Sequence, residues 1–371
     1  MTTDVRAITE VSAQHYRVPL AEPLFDARHG EHTHFELIIA KVRCIDGALG
    51  VGYTYTGGRG GRAIHQVITH DLAPALVGRP ASEIAELWEF MNWHIHYVGR
   101  GGIAGFAVSA VDIALWDLMA RRAEQPLWEL LGGEGKPVRT YAGLIDLHYP
   151  LDRHLDAISG ELDRGHTGIK IKIGRDTIAE DMARARAVRG LIGPETEFMV
   201  DANMKWDAQT AIEASNALAE VDPLWLEEPV PPDDFEAFAE VGQACPIPLA
   251  MGENLHTLPE FGLAFDTGAL AYPQPDASNV GGITGWMQVA RMAEERGLPA
   301  SSHGMQELHV SLLSAVPNGG YMEMHSFAID QYTHRPLTVH DGMVTPPEAP
   351  GIGVEFDWEK LAPHRELWSP V

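Results

Sequence analysis

Two lysines spaced two residues apart are the first residues that could do chemistry. Gly168-Ile169-Lys170-Ile171-Lys172-Ile173-Gly174 is a short apolar run bounded by glycines, the pattern of a buried β-strand. Side chains alternate faces along a strand. Lys170 and Lys172 therefore share one face, and Ile169, Ile171 and Ile173 share the other. Neighbouring ammonium groups repel, and burial disfavours charge. Both effects are expected to lower a lysine pKa toward a base usable near neutral pH. The plainer alternative is an edge strand with a solvated lysine face, a common guard against strand pairing between molecules.

Acidic residues follow at a steady interval. From Lys172 the steps to Asp201, Glu227, Glu253, Asp276, His303 and Glu323 are 29, 26, 26, 23, 27 and 20 residues. A strand, a helix and two short loops need about that length. Each residue then ends one strand of a repeating βα unit, and eight such units make a (β/α)-barrel, whose catalytic groups gather at the C-terminal strand ends. Asp201, Glu227 and Glu253 come from successive strands and converge on one side of the barrel mouth. Three hard oxygen ligands favour Mg²⁺, with Mn²⁺ second and Zn²⁺ disfavoured. Taken singly, each could be a helix N-cap or an ion-pair partner; three at equal spacing fit that account poorly. Asp276 and His303 end adjacent strands, about 4.8 Å apart. A carboxylate there can hydrogen-bond the imidazole and raise its pKa. Glu323 ends the eighth strand, within reach of a substrate.

The elements that precede these strands read differently. Phe35–Cys44 and Gly50–Tyr55 flank an Asp46-Gly47 pair, a hairpin signal. Two polar segments, 25–34 and 54–61, read as mobile lid loops. His29, His32 and His34 lie in the first, but without a cysteine or a fixed scaffold they do not make a metal site. The Gly-rich segment 56–61 lacks the Lys-Ser/Thr pair of a phosphate loop. Ile84, Leu87, Trp88 and Met91 have helical spacing, and 93–102 reads as a loop rich in polar aromatics. Ile103–Met119 is apolar but interrupted by Ser109, Asp112 and Asp117, so a buried helix is expected. Leu130-Leu131-Gly132-Gly133 ends a helix at glycine. The expected organisation is an α+β capping domain with lid loops over 1–130 and a barrel over 131–340. A C-terminal segment, 341–371, packs back on the cap, with Pro350–Asp357 as a strand.

Composition narrows the partners. There are 52 Asp and Glu residues against 27 Lys and Arg, a net charge of -25. This argues against nucleic acid and anionic membrane, but not against an anionic substrate at a locally positive site. Two distant cysteines and an N-terminus without an apolar leader core lead to the expectation of a cytoplasmic protein.

Several motifs together carry a family resemblance over nearly the whole chain. They are Ala110–Asp117, Leu130–Gly133, Lys170-Ile171-Lys172, Asp201-Ala202-Asn203, Glu227-Glu228-Pro229, Gly252-Glu253-Asn254, Gln274-Pro275-Asp276, Gly281–Trp286 and Ser302-His303. The chain resembles the mandelate racemase subgroup of the enolase superfamily. The resemblance implies an α/β fold, with a modified TIM barrel of (β/α)7β form under an α+β N-terminal cap. It implies that Asp201, Glu227 and Glu253 bind Mg²⁺. Lys172 would be one base, and His303, oriented by Asp276, the other. Lys170 and Glu323 would hold the substrate carboxylate, with Asn203 near the α-substituent. It also implies a homo-oligomer. The polar lids, including Asp26 and Tyr55 as substrate contacts, suit a polyhydroxy acid. They look most like those of 3,6-anhydro-L-galactonate cycloisomerases. The expected chemistry is removal of the proton α to a carboxylate through an enediolate, then β-elimination that opens the anhydro ring. An acid-sugar dehydratase and a racemase or epimerase of a 2-hydroxy acid are the alternatives. A non-catalytic sugar-acid binding protein is the remote one, since a binder needs neither two bases nor a metal triad.

Overall fold

The computed structural model describes residues 5–327 and 329–367. Met1–Asp4, part of the N-terminal stretch read for a leader, lie outside them. The chain begins as an antiparallel meander of β1 (Ile8–Asp26), β2 (Gly30–Cys44) and β3 (Leu49–Thr56). β2 is apolar on both faces, and the period of two divides them. Ile38, Ala40 and Val42 pack under helices, while Phe35, Leu37 and Ile39 join the core shared with the barrel. The helices are α1 (Gly61–Gln66), a π-helical stretch (Val67–Leu72), α2 (Ala73–Leu76), α3 (Ile84–Ile95), α4 (Ile103–Ala123) and α5 (Leu127–Leu130). By length and composition α4 could cross a membrane, but most of it is buried within the fold.

From residue 138 strands and helices alternate. They are β4 (Val138–Gly143), α6 (Leu151–Asp163), β5 (Gly168–Lys172), α7 (Ile178–Ile192), β6 (Glu197–Asp201), α8 (Ala208–Leu218), β7 (Leu226–Glu227) and α9 (Phe235–Ala244). Then come β8 (Leu249–Met251), α10 (Leu258–Asp266), β9 (Leu270–Pro273), α11 (Gly282–Glu294), α12 (Gln306–Ala315) and β10 (Tyr321–His325). Neighbouring strands are parallel, and β10 returns to pair with β4. The seventh strand expected at 301–303 is not a regular one. Its backbone still closes the ring: Ser301 N–H donates to Pro273 O at 2.9 Å and Ser302 N–H to Tyr321 O at 3.0 Å. β11 (Met343–Val344), antiparallel to β4, was not anticipated.

Three local readings are corrected. Segment 25–34 is not a loop but the end of the β1–β2 hairpin, paired down to Asp26 and Gly30. The Asp26 carboxylate, accepting from the Arg28 and His29 amides at 2.9 and 2.7 Å, closes the turn tightly. Pro350–Asp357 is not a strand, because Gly351 and Gly353 take φ values of 102° and 82°, outside the β region. It does reach the cap: Leu127 N–H donates to Gly351 O at 2.9 Å, and Ile352 N–H to Asp117 Oδ1 at 3.0 Å. Residues 93–95 continue α3, and Trp93, Tyr97 and Val98 are exposed on the outer surface.

Candidate active site

Strand register brings the chemistry together. Lys172 lies opposite Asp201, Asp201 opposite Glu227, and Glu227 opposite Ala250. Opposed residues on parallel strands point the same way, so one layer carries an ammonium and two carboxylates. Lys170, two residues before Lys172, lies one layer deeper on the same face. Glu253 follows β8, Asp276 follows β9, and Glu323 is the third residue of β10. Tyr141, Met199, Trp225 and Ala250 form a separate buried apolar cluster in the same barrel.

Both lysines are buried, as expected, but their pKa values move the other way. Burial does disfavour their charge. Lys170 Nζ, however, lies 2.6 Å from Glu227 Oε1 and 3.0 Å from Glu323 Oε1, and these carboxylates hold it well above its ordinary value. Lys172 Nζ lies 2.5 Å from Asp201 Oδ2, which raises it likewise. Repulsion between the two ammonium groups is outweighed by the acids of the neighbouring strands. Burial, with Asp201 and Glu253 nearby, pushes Glu227 up to about 7 despite Lys170.

On the other flank, His303 Nδ1 is 2.9 Å from Asp276 Oδ2 and Nε2 is 3.0 Å from Glu253 Oε2. Burial opposes an imidazolium here, but Glu253 and the Asp276 hydrogen bond hold His303 well above its ordinary pKa. Tyr55, from β3 of the cap, donates its hydroxyl to Asp276 Oδ2 at 2.9 Å. Gly304 makes room for that ring: a Cβ there would stand 2.0 Å from the Tyr55 hydroxyl, and its φ is 55°. We expect Gly304→Ala to lower stability by about 1–3 kcal/mol through backbone strain and clash and to reduce activity by displacing Tyr55. Tyr55→Phe should offset part of the clash, so the two losses will not add. Strict additivity in thermal melts and kinetics would show the residues to be uncoupled.

A cavity of about 570 Å³ opens over these groups, walled by Lys172, Asn203, Glu253, Asp276, His303 and the cap. Asp26 and Tyr55 both line it. Asp26 Oδ2 accepts from His29 Nδ1 at 3.1 Å and His32 Nε2 at 2.8 Å, so the hairpin supplies the scaffold that the histidines lacked in sequence. His34 turns away to the Gly58 carbonyl. The Asn203 amide donates to Asp201 Oδ1 at 2.8 Å, and its side-chain oxygen is buried without a protein partner. Residues 93–102 do not line the cavity. His309 also stays out of it: its Nε2 accepts from the Ala277 amide at 3.1 Å, and its Nδ1 donates to Gly304 O at 2.6 Å, so it braces the loop after Asp276.

Glu307, buried on α12, is pushed from 4.5 up to about 8 by burial and then by Asp330. The folded state keeps a proton that the unfolded chain has already lost, so stability falls as pH rises from the ordinary carboxylate range to about 8. We expect melting temperatures of Glu307→Gln to decline less than those of the parent across that window. Parallel slopes would clear Glu307 of this effect.

Four side chains escaped the sequence reading. Gln274 Nε2 and Trp225 Nε1 donate to Glu227 Oε2 at 2.8 and 3.0 Å, which fixes that carboxylate. Glu228, at φ 38°, is a further buried carboxyl, tied at one oxygen to Asn254 Nδ2 at 2.7 Å and held well above its ordinary pKa by burial. His325 ends β10 and lines the cavity. It follows Glu323 by two residues, the same spacing that paired Lys170 with Lys172, and that period was its signal.

Asp201, Glu227 and Glu253 each offer an oxygen, all within 4.8 Å of one another. Three converging hard donors, two buried and one partly so, where burial and then the neighbouring acids raise Glu227, are a set that a hard divalent cation fits. Residues 155–360 match the family described as Enolase C-terminal domain-like, and residues 8–132 match Mandelate racemase / muconate lactonizing enzyme, N-terminal domain. The chain is 44% identical over 354 residues to 3,6-anhydro-alpha-L-galactonate cycloisomerase of Streptomyces coelicolor, covering 95% of this chain and 98% of that protein. It superposes on a crystal structure of a racemase from the same organism with bound magnesium, at TM-score 0.94 and 43% identity, over 97% of this chain and 100% of that one. An L-talarate dehydratase from Polaromonas, complexed with Mg and L-glucarate, matches at TM-score 0.91 and 34% identity over 97% and 98% of the two chains. With cap and barrel both matched from end to end, the chain belongs to the enolase superfamily, in its mandelate racemase / muconate lactonizing enzyme branch.

Proposed function

We propose that this enzyme removes the proton α to the carboxylate of a sugar acid and then expels a β-oxygen. Its substrate is a 3,6-anhydro sugar acid, whose ring opens to a 2-keto-3-deoxy acid. The observation that carries the reading is the pairing of Lys172 and His303 across a site that also holds three converging carboxylates, under a hydroxyl- and imidazole-lined cap. The 44% identity to a cycloisomerase supports the ring-opening form.

Asp201, Glu227 and Glu253 would hold Mg²⁺, with Mn²⁺ as a substitute. When bound, the cation supplies positive charge to the substrate carboxylate and takes up the acidic charge that otherwise keeps Lys172 and His303 protonated. Lys170 and Glu323, paired with each other, hold the carboxylate oxygens, Lys170 by donating to one of them. Charge developing on those oxygens meets donors already in place, which favours the enediolate over the ground state. Lys172 takes the α-proton on one face. His303, oriented by Asp276 and Tyr55, gives a proton to the departing oxygen. Asn203 contacts the α-hydroxyl, and Asp26 with its two histidines reads the far end of the substrate.

The test is a screen of anhydro and open-chain sugar acids with Mg²⁺ for 2-keto-3-deoxy products. Turnover of a 3,6-anhydro acid is the expected result. Turnover of open-chain acids alone would make the enzyme a dehydratase. Interconversion of enantiomers without a keto product would make it a racemase.

A further inference from the structure

His325 stands beside His303, with ring centroids 5.1 Å apart and planes at 71°. Phe327 lies edge-on to its other side at 4.7 Å and is itself stacked on Phe35 at 5.7 Å, so the ring is clamped. The Phe327 amide donates to His325 Nδ1 at 3.1 Å. An Nδ1 that accepts carries no proton. The ring is therefore the neutral tautomer with its hydrogen on Nε2, on the residue that walls the cavity next to His303. Burial pushes its pKa down to about 3, which agrees. The arrangement is a fixed N–H donor that does not become an acid, set next to an imidazole that does.

The polar groups packed nearest to His303 already serve one another. Lys170 and Glu323 are paired with each other, and Asp276 serves His303 and Tyr55. A β-oxygen leaving on the His303 side takes its proton from that donor, His303. It needs a second to fix its lone pairs. We propose that His325 positions the leaving oxygen by donating its Nε2–H to it, and so selects substrates with an oxygen at that place. This rests on the elimination reading above. In the step, the Cα–H pair passes into the enediolate and returns as the Cα=Cβ bond. The Cβ–O bond breaks, its pair stays on oxygen, and that oxygen takes the His303 proton. His325 keeps its own proton throughout. A neutral imidazole used as a hydrogen-bond donor rather than an acid has precedent in enzyme sites.

The experiment compares His325→Leu and His325→Gln. Glutamine can accept from the Phe327 amide through its oxygen and donate through its nitrogen, so it mimics both bonds of the ring. With the sugar acid that the parent enzyme converts, we expect the leucine variant to lose about 10²-fold in keto-acid formation, the usual effect of one lost donor. Exchange of the α-proton with D₂O should stay within a few-fold of the parent, because enediolate formation does not use His325. The glutamine variant should recover most of the product rate, with the pH profile of the parent. Equal loss of exchange and product, equal rates in the two variants, or no loss in either would overturn the assignment. If leucine does not fold, the glutamine variant still decides: a tenfold or greater loss of product there overturns it, and near-parental product with parental exchange supports it. A parent that forms no keto acid from any sugar acid would instead defeat the elimination reading, and this proposal with it.

Discussion

Glu227→Gln is expected to abolish turnover, by at least about 10³-fold, while the fold survives. The reason lies in what that carboxylate meets. Its Oε1 takes the Lys170 ammonium, and its Oε2 takes donors from Gln274 and Trp225. Burial and the nearby acids push it up to about 7, while the Lys170 ammonium holds it down. Glutamine keeps the shape and drops the charge. Melting temperature without metal should fall, because the new NH2 group faces either the Lys170 ammonium or the Gln274 and Trp225 donors. Affinity for Mg²⁺, read by calorimetric titration, should fall sharply, because a hard cation loses one of three anionic ligands. Glu253→Gln should behave alike and also lower the His303 pKa, since Glu253 is the chief charge holding that imidazole protonated. Exhaustive chelation should remove activity, and Mg²⁺ or Mn²⁺ should restore it. Full activity after chelation would end the case for the metal triad.

The second large effect separates the two bases. Lys172→Ala should eliminate exchange of the α-proton with D₂O along with product, because the group that takes the proton is gone. His303→Ala should stop product formation and leave exchange measurable, since the enediolate still forms and the oxygen lacks only its acid. The asymmetry marks an elimination enzyme. In a racemase each base exchanges the proton of its own enantiomer, and the two variants would fail as mirror images. Undiminished exchange in the double variant would show that neither residue is a base. His303→Asn adds a control, because it keeps a polar side chain near Asp276 and Tyr55 without an ionisable ring.

The two sides of this site were legible to different degrees. By itself, the sequence determined the βα rhythm, the inward face shared by Lys170 and Lys172, and the spacing that gathers Asp201, Glu227, Glu253, Asp276, His303 and Glu323, although Glu323 lies two residues short of the end of β10 and 301–303 form no regular strand. These follow from local rules: side chains alternate every residue along a strand, and a βα unit has a nearly constant length. His325, two residues after Glu323 on the same face, was missed, although the same alternation marks its position. Charge states were a different matter. The lysine pKa values rise because Asp201, Glu227 and Glu323 stand within 3.0 Å of the ammonium groups, a distance set by neighbouring strands and not by either lysine's own segment. Only the tertiary structure brought Tyr55 to Asp276 across 221 residues, set His29 and His32 on Asp26, and turned Trp93 and Tyr97 outward. It also let 301–302 close the barrel without a regular strand, through hydrogen bonds to Pro273 and Tyr321. Periodicity tells which way a side chain points, but the energy of a buried charge depends on what meets it there, and that is settled when distant segments pack.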